Sequence, residues 1–119
     1  MAEVDAVGEL VLAGVPIGNI ADASTRLALV LKSADIIAAE DTRKLRRLLS
    51  DLGLQTTAQV VSYYDQVEAE RLPQLLAALA EGKQVVLVTD AGMPTVSDPG
   101  FKIAQAFAAL GGHITVVPG

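Results

Sequence analysis

The sequence contains no cysteine and no tryptophan, a single histidine, and aromatics amounting to 3% of its 119 residues. Without cysteine, disulfides and thiolate metal sites are excluded, and a reducing compartment is compatible. No metal site is expected. Because aromatics are scarce, the 51% of hydrophobic residues is mostly Ala, Leu, Val and Ile, the usual filling of helix-on-sheet packing. No apolar run approaches the roughly 18 residues of a membrane span. The start, MAEVDAVGEL, carries acids where a secretory signal carries basic residues, so the expectation is a soluble cytoplasmic protein with no membrane partner. Basic residues are also in the minority: 9 Lys and Arg stand against 14 Asp and Glu, a net charge of -5. That balance excludes a protein whose whole surface grips nucleic acid, but a local basic patch is still allowed. Neither GxGxxG nor GxxxxGK[ST] occurs, which argues against dinucleotide and P-loop triphosphate sites.

What the sequence does contain is alternation. Five short β-type runs recur at 10–13 (LVLA), 35–39 (DIIAA), 59–63 (QVVSY), 84–88 (QVVLV) and 113–117 (HITVV). Their nearly continuous apolar character predicts strands buried on both faces, as parallel strands are. Helical patterns lie between them. Residues 24–33 repeat apolar positions at helical spacing, and 42–52 place Leu45, Leu48, Leu49 and Leu52 on one stripe. A third helix is expected over 73–80, with Pro73 in its first turn. A fourth covers 101–110, opened by Asp98, Pro99 and Gly100. Strand alternating with helix predicts one α/β domain, a doubly wound, five-stranded and mostly parallel sheet flanked by helices.

The two ends of these strands differ in chemistry. Segments entering them read KSAD, LQTTAQ, EGKQ and LGGH, ordinary turn material. Those leaving them read VPIGN, EDTR, YYDQVE, TDAGMPTVSDPG and VPG. In open parallel sheets, ligands bind beyond the carboxyl ends of the strands, so the one-sidedness marks a binding crevice. In VPIGN (15–19), Gly18 lets a ligand approach the backbone and Asn19 offers donor and acceptor. In DAGMP (90–94) a carboxylate stands at a strand tip before exposed amides around Gly92. Such a pair suits a ligand with a cationic group and a carboxylate, as an amino-acid-like cofactor has.

Taken in order, VPIGN, AAEDTRK, VTDAGMPTVSDPG and the terminal VPG resemble the ribosomal RNA small subunit methyltransferase I family of the tetrapyrrole methylase superfamily. The resemblance runs from about Glu9 to Gly119. It implies transfer of a methyl group from S-adenosyl-L-methionine to the ribose 2′-oxygen of a cytidine in 16S rRNA, within the small ribosomal subunit. It also implies a homodimer and a cofactor cleft between two α/β domains. Pro16, Gly18 and Asn19 would line that cleft on one side. Asp90, Gly92, Met93 and Pro94 would approach the methionine portion, with Ser97 and Asp98 shaping the loop. Glu40, Asp41, Thr42 and Arg43 would sit near the substrate ribose.

Attack on the methyl requires the 2′-hydroxyl to lose its proton, so a carboxylate must lie within reach. Glu40 and Asp41 are the catalytic candidates, and Asp90 is the reserve. Asp41 is equally suited to cap the helix that follows it. Arg43, Lys44, Arg46 and Arg47, clustered in an acidic chain, suit RNA phosphates. Tyr63 and Tyr64 are positioned either to stack on a base or to pack, and His113 reads as surface.

Three departures from the family pattern stand out. Val15 and Met93 replace residues that are usually Thr. The segment YYDQVE holds no histidine where many relatives carry one. The sequence ends at Gly119 where relatives continue, so residues 1–119 read as an amino-terminal methylase domain without the family's carboxyl-terminal domain, inactive by itself. Two rivals remain: a small-molecule, tetrapyrrole-type methylase of the same superfamily, and a non-catalytic binding or dimerisation module.

Overall fold

The structure, a computed structural model, describes residues 8–14, 25–89 and 100–117. Its elements alternate as the sequence predicts: β1 (Glu9–Gly14), α1 (Thr25–Ser33), β2 (Ile36–Ala39), α2 (Thr42–Asp51), β3 (Gln59–Ser62), α3 (Asp65–Ala80), β4 (Gln84–Thr89), α4 (Gly100–Ala109) and β5 (His113–Val117). The strands form a single five-stranded sheet in the order β3-β2-β4-β1-β5, and every pairing is parallel.

Burial on both faces explains the apolar runs of the three central strands β2, β4 and β1, whereas β3 and β5, expected to be buried as well, are edge strands and only partly covered. Along β1 and β4, alternate side chains enter different cores. Val11, Ala13, Val86 and Val88 join Leu27 and Leu31 of α1 and Leu45 and Leu49 of α2. Leu10, Leu12, Val85 and Leu87 join Leu75 and Leu79 of α3 and Ile103 and Phe107 of α4. The first two helices therefore cover one face and the last two the other. Each fully buried Leu, Ile or Phe in these layers contributes about 1.5–3 kcal/mol.

Among the helices, one departs from expectation. Helix α3 begins at Asp65, well before Pro73, and carries the proline inside it. The stretch before Pro73, QVEAERL, is rich in good helix formers, and Leu72 packs against the α3/α4 core. Proline removes the hydrogen bond to the carbonyl of Ala69. Both Pro73 and Ala69 are exposed, so the carbonyl is left on the solvent side of the helix, where an unmade bond costs least.

At the amino edge of the sheet, side chains tie neighbouring strands together. Glu9 accepts from Thr115 and from Gln84 Nε2, and lies 3.4 Å from His113 Nε2. Asp35 Oδ2 accepts the Gln84 backbone N–H at 2.8 Å. His113 is therefore a surface residue set beside a carboxylate. Gly8 leads into this edge, its N–H donating to Leu79 O at 2.6 Å. A Cβ at Gly8 would collide with the backbone of Lys83, and backbone does not swing aside as a side chain does. Gly8→Ala is accordingly expected to lower stability by about 1–3 kcal/mol, read from the midpoint of chemical unfolding. An unchanged midpoint would show that this close approach is not required.

Candidate functional site

The strand order fixes where a crevice can form. From β2 the chain moves through α2 to the edge strand β3. From its neighbour β4 it moves through α4 to the opposite edge strand β5. Adjacent strands whose connections diverge onto opposite faces leave a cleft beyond their carboxyl ends. Register brings Ser62, Ala39, Val88, Ala13 and Val117 into one row across that end. Gly14 and Thr89 pair in the next row.

Glu40 and Asp41 follow the tip of β2 directly, and the structure gives them different environments. Asp41 is the N-cap of α2, in extended conformation, its carboxylate accepting the backbone N–H groups of Arg43 and Lys44. The bonds measure 3.0 and 3.3 Å. The Lys44 N–H is the main cause that holds the Asp41 carboxyl below its ordinary value, with the Arg43 N–H and guanidinium adding to it. Glu40 is exposed, and no described residue hydrogen-bonds its carboxylate. One acid starts a helix, and the other is left exposed.

Helix α2 divides cleanly. Leu45 and Leu49 are buried and Leu48 and Leu52 pack beside them, while Arg43, Lys44, Arg46 and Arg47 are all exposed. The first turn has no acidic residue. Cations there oppose the helix macrodipole, whose positive end also lies at the amino terminus. Stability alone would favour acids in this turn. The basic residues therefore make a positive corner at the carboxyl edge of the sheet, a few residues from Glu40.

On the α3/α4 side a buried polar group was not anticipated from the sequence. Tyr63, only 1% exposed, donates its hydroxyl to Glu68 Oε2 at 3.4 Å. Glu68 is itself buried, and its other oxygen lies 3.5 Å from Lys102 Nζ on α4. Burial first, and the Glu68 carboxylate second, push the Tyr63 phenol well above its usual range, so it stays a donor. Stacking on a base is closed to Tyr63, whereas Tyr64 at the N-cap of α3 is half-buried. Arg71 adds a bond from Nε to Ser62 O at 3.1 Å. Spacing offered one signal for this group: Tyr63 and Glu68 flank the start of α3, but the expected helix began too late to show it.

Thr89 closes the row. It is 5% exposed, and its Oγ1 is the one buried side-chain polar atom among the described residues that lacks a hydrogen-bond partner. Leaving a buried hydroxyl unpaired costs roughly 1–3 kcal/mol. Pro16, Gly18, Asn19, Asp90, Gly92, Met93, Pro94 and Ser97, like Asp98, lie outside the described residues. The segments holding them leave from Gly14 and Thr89, which are ladder partners. Among the described residues no group of three or more His, Asp or Glu side chains could hold a metal ion. No described helix is long and apolar enough to cross a membrane.

Comparison with known proteins agrees with this architecture. The ribosomal RNA small subunit methyltransferase I of Mycobacterium tuberculosis is 45% identical over 94% of this chain and 39% of its own length. The protein of that name from Bacillus subtilis is 40% identical over 95% of the chain and 38% of its length. That from Thermotoga maritima is 36% identical over 95% of the chain and 50% of its length. The chain thus spans at most half the length of these relatives. Among solved structures, uroporphyrin-III-C-methyltransferase from Thermus thermophilus superposes with a TM-score of 0.70 at 22% identity. That match covers 94% of this chain and 47% of the other, and it speaks to fold alone. The family model for tetrapyrrole (corrin/porphyrin) methylases matches residues 9–119, and with the parallel sheet, its order and its divergent carboxyl edge in place, the chain belongs to the tetrapyrrole methylase family.

Proposed function

We propose that the protein containing this chain is an S-adenosyl-L-methionine-dependent methyltransferase that modifies the ribose 2′-oxygen of a cytidine in 16S rRNA of the small ribosomal subunit. The observation that carries the reading is the juxtaposition of Glu40 with the exposed basic face of α2. A carboxylate without a structural task stands beside cations that work against their own helix dipole. The names of the relatives support rRNA as the substrate. The amino-terminal domain role of residues 1–119, the homodimer and the cytoplasmic location belong to the same proposal.

The described residues suit such a cofactor. Gly14 and Thr89 open side by side, one without a side chain and the other with an unpaired hydroxyl, so a polar group is accommodated there. Pro16, Gly18 and Asn19 after β1, with Asp90, Gly92, Met93, Pro94 and Ser97 after β4, would hold the cofactor. When bound, it supplies an electrophilic methyl on a sulfonium. The chain supplies the rest. Arg43, Lys44, Arg46 and Arg47 dock the RNA phosphates and so set the position of the ribose. Glu40 would accept the proton that the 2′-hydroxyl gives up. Asp41 fixes the start of α2, which keeps the cations and Glu40 at a constant separation.

Full-length protein, given methyl-labelled cofactor and small subunits lacking the modification, is expected to place label on a 16S rRNA ribose, located by nuclease digestion and mass spectrometry. Label on uroporphyrin instead of rRNA would overturn the proposal in favour of a tetrapyrrole-type methylase. Absence of label on either, with cofactor bound, would favour a non-catalytic module.

A further inference from the structure

The β4 run QVVLVT ends in a hydroxyl where the pattern of the strand asks for a methyl. Val86 and Val88 face the α1/α2 core, and Val85 and Leu87 face the α3/α4 core. Thr89 continues the second series. Valine has nearly the same shape and would leave no unpaired hydroxyl there. The other buried polar groups on that side are accounted for, Tyr63 by Glu68 and Glu68 by Lys102. Across the ladder from Thr89 stands Gly14, which puts no side chain beside the hydroxyl. On the other side, β4 adjoins β2, from which the connections diverge. The leftover hydroxyl therefore sits at the point where the topology opens the crevice.

We infer that Thr89 is a cofactor-contacting residue, its hydroxyl hydrogen-bonding a polar group of the bound S-adenosyl compound. This rests on the reading that the carboxyl ends of β1 and β4 floor the cofactor cleft. A hydroxyl unpaired in the free protein acquires its partner on binding, so its energetic contribution appears in affinity and not in folding. The bond also discriminates, because a ligand without the matching polar group leaves the hydroxyl buried and unpaired.

The test uses the full-length protein and its Thr89→Val and Thr89→Ser variants. Binding of S-adenosylhomocysteine is measured by titration calorimetry, and melting is followed without ligand. Thr89→Val is expected to weaken binding about tenfold with the melting temperature of the free protein unchanged or raised. Thr89→Ser, which keeps the hydroxyl, is expected to remain close to the parent. Parent-like affinity in Thr89→Val would overturn the inference and leave the cleft standing. Equal losses in both variants, or a lowered melting temperature in Thr89→Val, would also overturn it, by making the residue structural. No binding by the parent would overturn the cleft reading together with this one.

Discussion

Replacing Glu40 with glutamine is expected to slow methyl transfer by roughly a hundredfold to ten-thousandfold, with cofactor affinity and melting temperature close to those of the parent. The substitution keeps the size of the side chain and removes its ability to take a proton. Glu40 is exposed, so little packing is at risk. The neighbouring acid should behave in the opposite way. Asp41→Ala removes the acceptor for two backbone N–H groups of α2, and its first effect should be on stability. Because the Asp41 carboxyl is held below its ordinary value of 3.8 in the folded protein, its contribution is present near neutrality. It is lost as pH falls through the folded-state value. Rate measurements at saturating cofactor and ribosomal particle, paired with melting curves across acid pH, separate the two roles. A folded Asp41→Ala protein without activity beside a fully active Glu40→Gln protein would reverse the assignment.

Converting Arg43, Arg46 and Arg47 together to alanine is expected to weaken binding to small ribosomal subunits and to flatten its dependence on salt. The basic face lies opposite the buried Leu45 and Leu49, so the core of α2 is untouched. Every phosphate that is no longer neutralised should reduce the log–log salt slope by about 0.7 for single-stranded RNA. Removing cations from the first turns relieves an unfavourable interaction with the helix dipole, which offsets the loss of the exposed pairing of Arg43 with Asp41 at 3.9 Å, so stability should change little. Weaker particle affinity at undiminished stability would mark the arginines as functional. Equal slopes for parent and variant across a range of salt would remove RNA docking from this helix, and cofactor titration on the same samples would show whether the cleft was disturbed.

The fold was largely legible because its three central strands are buried on both sides. VVLV and IIAA admit few alternatives once helices separate them, and the predicted strand boundaries fall within a residue of those observed. Helix α2 was equally plain, since a leucine stripe and a capping acid both mark it. Pro73 misled because proline's preference for first turns is a local rule, and exposure of the proline with Ala69 let the helix run through it. At the site, the basic corner and the acids at the tip of β2 were visible as neighbours in sequence. The Tyr63, Glu68 and Lys102 group was not, because it joins the end of β3 to two helices, and Lys102 comes near only through packing. Thr89 was overlooked for a different reason. An unpaired hydroxyl is a property of its surroundings, and no pattern of residue types displays it.

The strand order also dictates when this domain can form. β1 is made first and pairs only with β4 and β5, its contacts at Glu9 reaching partners 75 and 106 residues away. β2 in turn needs β4, with Asp35 and Gln84 separated by 49 positions. Only β2 with β3 is a pairing available early, and the far side of β2 then waits for β4. Long loops must be closed before such contacts repay their entropy, which makes parallel topologies slow to fold. On the ribosome, the apolar run of β1 therefore stays unpaired until the whole of β4 has left the exit tunnel. Early in synthesis the nascent chain exposes an unpaired apolar strand, and its two halves join late, when β4 slots between β2 and β1.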